Sequence, residues 1–130
     1  MTTKAFIVTD VDELFALHRA FREAKFCIEP DDTEVSDSPV VARLFERLME
    51  VLITAEVDRE GETARQRWEQ WLALDESRDE WAAATSRAKN ELAWHDFSDA
   101  ERREYVTVLL SPFRLSPETM ERFISAVTAT

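Results

Sequence analysis

The spacing of apolar residues predicts six helices, each beginning at a side chain that can cap it. Apolar positions recur every three or four residues over most of the chain, which is typical of helices with one buried face. Each stretch follows an Asp, Ser or Thr, whose oxygen can accept a hydrogen bond from a first-turn N–H group. The predicted starts are Asp10, Ser38, Thr63, Ser77, Ser98 and Ser116. We therefore expect a compact all-α bundle of five or six helices, with residues 1–130 forming a single domain.

The second predicted helix, residues 39–58, is the most apolar. Its polar side chains occupy an arc of roughly 100°, and apolar side chains cover most of the remaining surface. Such a helix is either the centre of the bundle or half of a homodimer interface. Pro39 after Ser38 suits the first helical position, because a helix start leaves that N–H group unused. Gly61 predicts the end of the helix, since glycine readily adopts the left-handed conformation.

Two segments lack a helical pattern. Residues 1–9 are expected to form an N-terminal arm, which carries one short apolar run around Phe6. Residues 27–38 are expected to form an acidic loop, because they contain five carboxylates and no basic side chain. The loop is a surface on which a partner could bind.

The fourth predicted helix begins at Ser77 and is expected to bury Trp81 and Leu92 on one face. At 100° per residue, Trp94 lies about 200° from Leu92 and so points away from that face. Two positions follow for Trp94. It is either covered by the fifth helix or the loop, or it is exposed as an anchor for a partner.

The scarcity of glycine excludes several classes of enzyme. The chain has one glycine in 130 residues, so it contains no glycine-rich loop of the GxGxxG or GxxxxGK[ST] type. It also has one cysteine, Cys27, which excludes an intramolecular disulfide and the multi-cysteine zinc patterns. We therefore expect neither a cofactor nor catalytic activity.

His18, His95 and Cys27 are the remaining side chains with reactive chemistry. His18 falls on the apolar side of the first helix, where a buried neutral imidazole is expected. Glu91 and His95 are four residues apart and could bind a metal from one helix face, but a helix-end ion pair or hydrogen bond is the simpler interpretation. A nucleophilic pair of Cys27 with a histidine is left open. No metal site is expected.

The charge of the chain favours a basic partner. Sixteen basic and 27 acidic residues give a net charge of −11, which disfavours nucleic acid and anionic membrane surfaces. The apolar run in the arm is too short for a signal peptide or a membrane span, so a cytoplasmic location is expected. The expected partner-binding residues are Glu29, Asp31, Asp32, Glu34, Asp37 and Trp94.

These observations favour a small acidic protein-binding module without catalytic activity. It would act as an inhibitor, an antitoxin or immunity protein, or an assembly chaperone, with complementary charge accelerating association. The alternatives are a helical bundle that binds a metal or small ligand, and a structural subunit of a homo-oligomer.

Overall fold

The computed structural model describes residues 4–27 and 33–129. Within those residues the chain forms α-helices and one 3₁₀ turn at Trp94–Asp96, with no strand beyond an isolated bridge between Ala73 and Arg114. The prediction of a compact all-α fold is confirmed. The helices are α1 Val11–Lys25, α2 Thr33–Ser36, α3 Pro39–Glu60, α4 Glu62–Leu72, α5 Asp79–Lys89, α6 Asp99–Leu110 and α7 Pro117–Thr128.

Four of the predicted helix starts are confirmed by capping hydrogen bonds. The Asp10 carboxylate accepts a bond of 3.1 Å from the third residue of α1, and Ser38 accepts one of 3.1 Å in the same position of α3. Ser116 caps α7 in the same way. Ser98 and Glu101 form a reciprocal capping box at α6. These bonds satisfy N–H groups that a helix start otherwise leaves without partners.

The predicted starts at Thr63 and Ser77 are wrong. Gly61 ends α3 with a φ of 93° and also precedes the first residue of α4, so α4 begins one residue before Thr63. The Ser77 backbone N–H donates instead to the Asp75 carboxylate at 2.9 Å, and α5 begins two residues later. Both differences arise because the preceding turn, and not the capping side chain, fixes where the helix begins.

The acidic loop and the fourth predicted helix also differ from expectation. Within the 27–38 segment, Thr33–Ser36 are helical, as α2, where a loop was predicted. The helix that begins after Ser77 ends at Lys89, so Leu92 is 97% exposed where a buried position was predicted. Residues after Lys89 are not part of α5, so the 100° spacing of that helix does not give the direction of their side chains.

The core consists of two apolar clusters that share two aromatic side chains. The first lies between α1, α3 and α4, and the second between α5, α6 and α7. Phe26 and Trp71 pack against both clusters. Backbone bonds from Leu74 to Arg114 (3.1 Å) and from Arg114 to Leu72 (2.8 Å) join the end of α4 to the segment after α6.

Lys25 ties α1 to the end of α6. Its side chain is buried, and Nζ donates to the carbonyl oxygens of Val108 at 2.7 Å and Leu109 at 2.6 Å. The last carbonyls of a helix lack partners within it, and a nearby cation also interacts favourably with the helix dipole. This contact positions α1, which carries most of the cleft described next.

Candidate ligand cleft between α1 and α4

A cleft of about 320 Å³ opens between α1 and α4. Its size falls in the range of sites for small molecules. The α1 residues that line it are spaced by three and four positions, so they share one face of that helix. The lining residues are Phe15, His18, Arg19, Arg22, Arg67, Trp68 and Trp71.

His18 lines the cleft and is 5% exposed. Its ring centroid is 5.0 Å from that of Trp71, 5.6 Å from Trp68 and 5.9 Å from Phe45. The prediction of a buried histidine is therefore confirmed. Among the residues that the structure describes, however, its Nε2 atom has no hydrogen-bond partner. Aromatic side chains pack around the ring, and this nitrogen is left unpaired by them.

Trp68 presents a second polar atom without a partner. The side chain is 9% exposed, and its Nε1–H group makes no hydrogen bond within residues 4–27 and 33–129. Leaving a buried polar group unpaired costs about 1 to 3 kcal/mol, so such groups are uncommon and call for an explanation. His18 and Trp68 place two of them in the same cleft.

The rim of the cleft is cationic although the chain is acidic. Arg67 pairs with Glu60 at 2.8 Å and lies 4.0 Å from Glu56. Arg19 and Arg22 take part in no ion pair among the residues that the structure describes. Two guanidinium groups therefore remain available to an anion at this site.

The environment of His18 keeps its imidazole uncharged at neutral pH. Burial, followed by the positive charges of Arg22 and Arg19, lowers the pKa of His18 from 6.5 to about 4. As the Nε2–H tautomer, the neutral ring can donate one hydrogen bond. The cleft thus combines two free cations, two N–H donors and aromatic walls, an arrangement suited to an anion with an apolar body.

The five acidic residues that were expected to bind a partner do not share one environment. Glu29, Asp31 and Asp32 lie outside the described residues. Glu34 is exposed on α2. Asp37 is half-buried and is held by Arg87, whose Nη2 lies 2.7 Å from one carboxylate oxygen and whose Nε lies 3.2 Å from the other. Asp37 therefore has an internal role in joining the segment after α2 to α5.

Trp94 lies in the core, which is the first of the two positions considered from the sequence. It is 1% exposed, and its Nε1–H donates to the Thr128 hydroxyl at 3.3 Å. The guanidinium of Arg102 lies over its ring at 5.2 Å. The expectation of an exposed anchor is corrected, because α5 ends at Lys89 and the 3₁₀ turn directs the indole inward.

The remaining reactive residues do not assemble. Glu91 and His95 do not share a helix face, because α5 ends at Lys89; Glu91 pairs with Arg87 at 2.8 Å, and His95 is exposed on the 3₁₀ turn. Cys27 is exposed, whereas His18 is buried. Across residues 4–27 and 33–129, no three His, Cys, Asp or Glu side chains come together at a metal-binding distance.

Sequence reasoning identified His18 but missed its neighbours. Arg19 and Arg22 flank His18 on α1 and could have been recognised as a cationic face of the first helix. Trp68 and Trp71 carry no sequence signal of a site, because nothing local indicates that α4 packs beside this face of α1. The site depends on that tertiary contact.

Comparisons of the chain with protein-family models, with curated proteins and with solved structures found no match. Among the described residues, no helix has both the length and the apolar character needed to cross a membrane.

Proposed function

We propose that this protein binds a small organic anion in the cleft between α1 and α4, as a binding protein without catalytic activity. The observation that carries the proposal is the pair of buried, unpartnered polar atoms, His18 Nε2 and Trp68 Nε1, in one cleft beside two unpaired arginines. Native proteins rarely leave buried polar groups unpaired, so a ligand that enters the cleft and displaces the neighbouring rings would supply the missing partners.

We assign the binding of the ligand's anionic group to Arg19 and Arg22. A carboxylate or phosphate oxygen is the usual partner of a guanidinium, because the planar fork of N–H groups matches its geometry. The two arginines are three residues apart on α1, so their side chains extend from neighbouring positions of one helix face. Arg67 is already paired with Glu60 and contributes mainly positive field.

The apolar body of the ligand is assigned to the aromatic walls. Phe15 and Trp71 are half-buried and face the cleft, so both have surface left for a planar or aliphatic group. Binding sites for small molecules commonly combine such walls with a few polar groups that fix orientation. We therefore expect an aromatic acid to bind more tightly than an inorganic anion.

The test is a ¹⁵N–¹H NMR titration that follows the indole N–H signals of the chain's tryptophans. Benzoate, phenyl phosphate and hexanoate serve as anionic probes, and benzyl alcohol is the uncharged analogue. We expect saturable movement of the Trp68 signal with at least one anion, with at least about tenfold weaker binding of benzyl alcohol. The signals of Trp81 and Trp94, which do not line the cleft, are internal references.

Variants separate this site from nonspecific charge effects. Combining Arg19→Gln with Arg22→Gln should abolish the saturable shift. Arg65→Gln is the matched control, because Arg65 lies on α4, pairs with Glu62 and does not line the cleft. The proposal fails if no anion moves the Trp68 signal saturably, or if the double variant binds as well as the control. Either result would mean that the cleft does not recognise an organic anion.

The protein-binding module with a basic partner stays a prediction. Of its expected residues, Glu34 is exposed on α2, whereas Asp37 is paired internally and Trp94 is buried. The roles of inhibitor, antitoxin or immunity protein, and assembly chaperone rest on the acidic composition alone.

A further inference from the structure

The longest helix, α3, carries an exposed apolar seam. Val40, Leu44 and Val51 are 44 to 53% exposed, and Leu48 and Ala55 beside them are half-buried. These five positions fall within an arc of roughly 80° on a helical wheel. Their intervals of four, four, three and four residues are the spacing by which two helices pack along a shared seam.

Three of the five seam positions, Val40, Leu44 and Val51, lie away from the interior of the bundle, whereas Leu48 and Ala55 pack partly against the first cluster. The positions of α3 that face the core are a different set, and α1, α4 and α6 pack against the helix. The buried set is Ala42, Phe45, Met49, Leu52, Ile53 and Glu56. The apolar surface predicted for this helix is therefore divided between a buried face and an exposed one.

We propose that this seam is the interface of a homodimer in which the α3 helices of two copies pack antiparallel about a two-fold axis. Antiparallel packing that places Leu44 of one copy opposite Val51 of the other also places Val40 opposite Ala55. These four positions then each meet an apolar position, and the two copies of Leu48 lie close to the two-fold axis, each level with Arg47 of the other copy. A two-fold interface requires such self-complementarity.

Charges beside the seam fit the same register. Arg43, Arg47 and Glu50 are exposed on one flank of the seam, and none takes part in an ion pair among the described residues. In the antiparallel register, Glu50 of one copy lies level with the midpoint between Arg43 and Arg47 of the other. The two-fold axis repeats this contact, so two carboxylates meet four guanidinium groups.

The N-terminal arm adds apolar surface at the end of the seam. Phe6 and Ile7 are largely exposed, and Thr9 lines a shallow groove together with Val51 and Ala55. The arm therefore joins the bundle near the position that Val40 of the second copy would occupy. Its side chains extend the buried area towards the 1,200 Å² or so of a small specific interface.

Sedimentation equilibrium of the full chain tests the proposal. We expect a dimer at micromolar concentration, and we expect Leu44→Asp to weaken dimerisation by at least about a hundredfold, since it buries a charge opposite Val51. Leu92→Asp is the matched control, because Leu92 is more exposed than Leu44 but lies outside α3. A wild-type chain that is monomeric at about 100 µM would overturn the proposal, whether the seam is solvated or binds another protein.

Charge exchange tests the register and does not depend on a buried substitution. Glu50→Arg alone, and Arg43→Glu combined with Arg47→Glu, should each dissociate the dimer by repulsion. Mixing the two variants should restore a heterodimer, because every charge across the axis is then opposite in sign. Circular dichroism checks that each variant is folded. A dimer that survives both changes, or a mixture that stays monomeric, would overturn the antiparallel register.

Discussion

Acidification should destabilise the fold through His18. The pKa of His18 is lowered from 6.5 to about 4 in the folded protein, chiefly by burial. The unfolded chain therefore binds this proton first as the pH falls, which favours unfolding. The contribution of His18 to stability is complete above pH 6.5 and is lost as the pH falls towards 4.

The size of the effect follows from the two pKa values. A shift of one pKa unit corresponds to about 1.4 kcal/mol, so the full loss approaches about 3.4 kcal/mol below pH 4. About 1.4 kcal/mol is lost by pH 5.5 and about 2.5 kcal/mol by pH 4.5. These losses are a large share of the stability of a domain of ordinary size, which is about 5 to 15 kcal/mol.

Urea denaturation between pH 7.5 and pH 4.5 measures this loss. The comparison is between wild type and His18→Leu, which keeps an apolar side chain of similar volume and removes the titrating ring. Carboxylates titrate in both proteins and cancel in the difference. The free energy of unfolding of wild type should fall relative to the variant by about 2.5 kcal/mol at pH 4.5.

His95→Gln is the control, because His95 is exposed. It should keep the pH dependence of wild type. A difference between wild type and His18→Leu that stays constant from pH 7.5 to 4.5 would refute the reasoning. It would mean that His18 is hydrated in the folded protein and that its burial imposes no penalty on the charged ring.

Three further perturbations test other contacts. Burial lowers the pKa of Lys25 from 10.5 to about 7, so at alkaline pH the unfolded chain keeps a proton that the folded chain has lost. The free energy of unfolding of wild type, relative to Lys25→Met, should therefore rise by about 2 kcal/mol between pH 7 and pH 9 in urea denaturation. A difference in unfolding free energy between wild type and Lys25→Met that does not change with pH would contradict this prediction. Asp37→Asn should cost about 1 to 3 kcal/mol because it breaks a half-buried pair with Arg87, whereas Asp99→Asn, in an exposed pair, should cost less than about 1 kcal/mol in the same assay. Equal losses of stability in the two variants would show that the Asp37–Arg87 pair is no stronger than the exposed Asp99–Arg103 pair. Gly61→Ala should lower stability by about 1 kcal/mol, because φ is 93° there, even though the added methyl group would meet open space. An unchanged melting temperature would show that the turn relaxes.

Features encoded within one or two helical turns were predictable from the sequence. Asp10, Ser38, Ser98 and Ser116 each cap the helix that follows, because a capping bond depends only on residues two or three positions away. The helix end at Gly61 is equally local. The all-α fold follows from many such signals that agree.

Features that depend on tertiary contact were not predictable. To predict the position of Trp94, one would need to know that α5 ends at Lys89, whereas the apolar periodicity of the sequence continues past that residue. The cleft required α4 to pack beside α1, which brings Arg67 and Trp68 to a face that carries Arg19 and Arg22. The ion pair of Asp37 with Arg87 joins residues 50 positions apart. Each of these is a long-range contact that no local pattern specifies.

The position of Trp71 has a consequence for how the protein would respond to a ligand. Its ring lies 5.0 Å from that of His18 in the cleft and 4.7 Å from that of Phe113 in the second cluster. A ligand that immobilises Trp71 would therefore suppress local opening in helices it never touches. In hydrogen exchange, ligand binding would increase the protection of backbone amides in α1 and α4 and also at the end of α6, so its effect would extend to both apolar clusters.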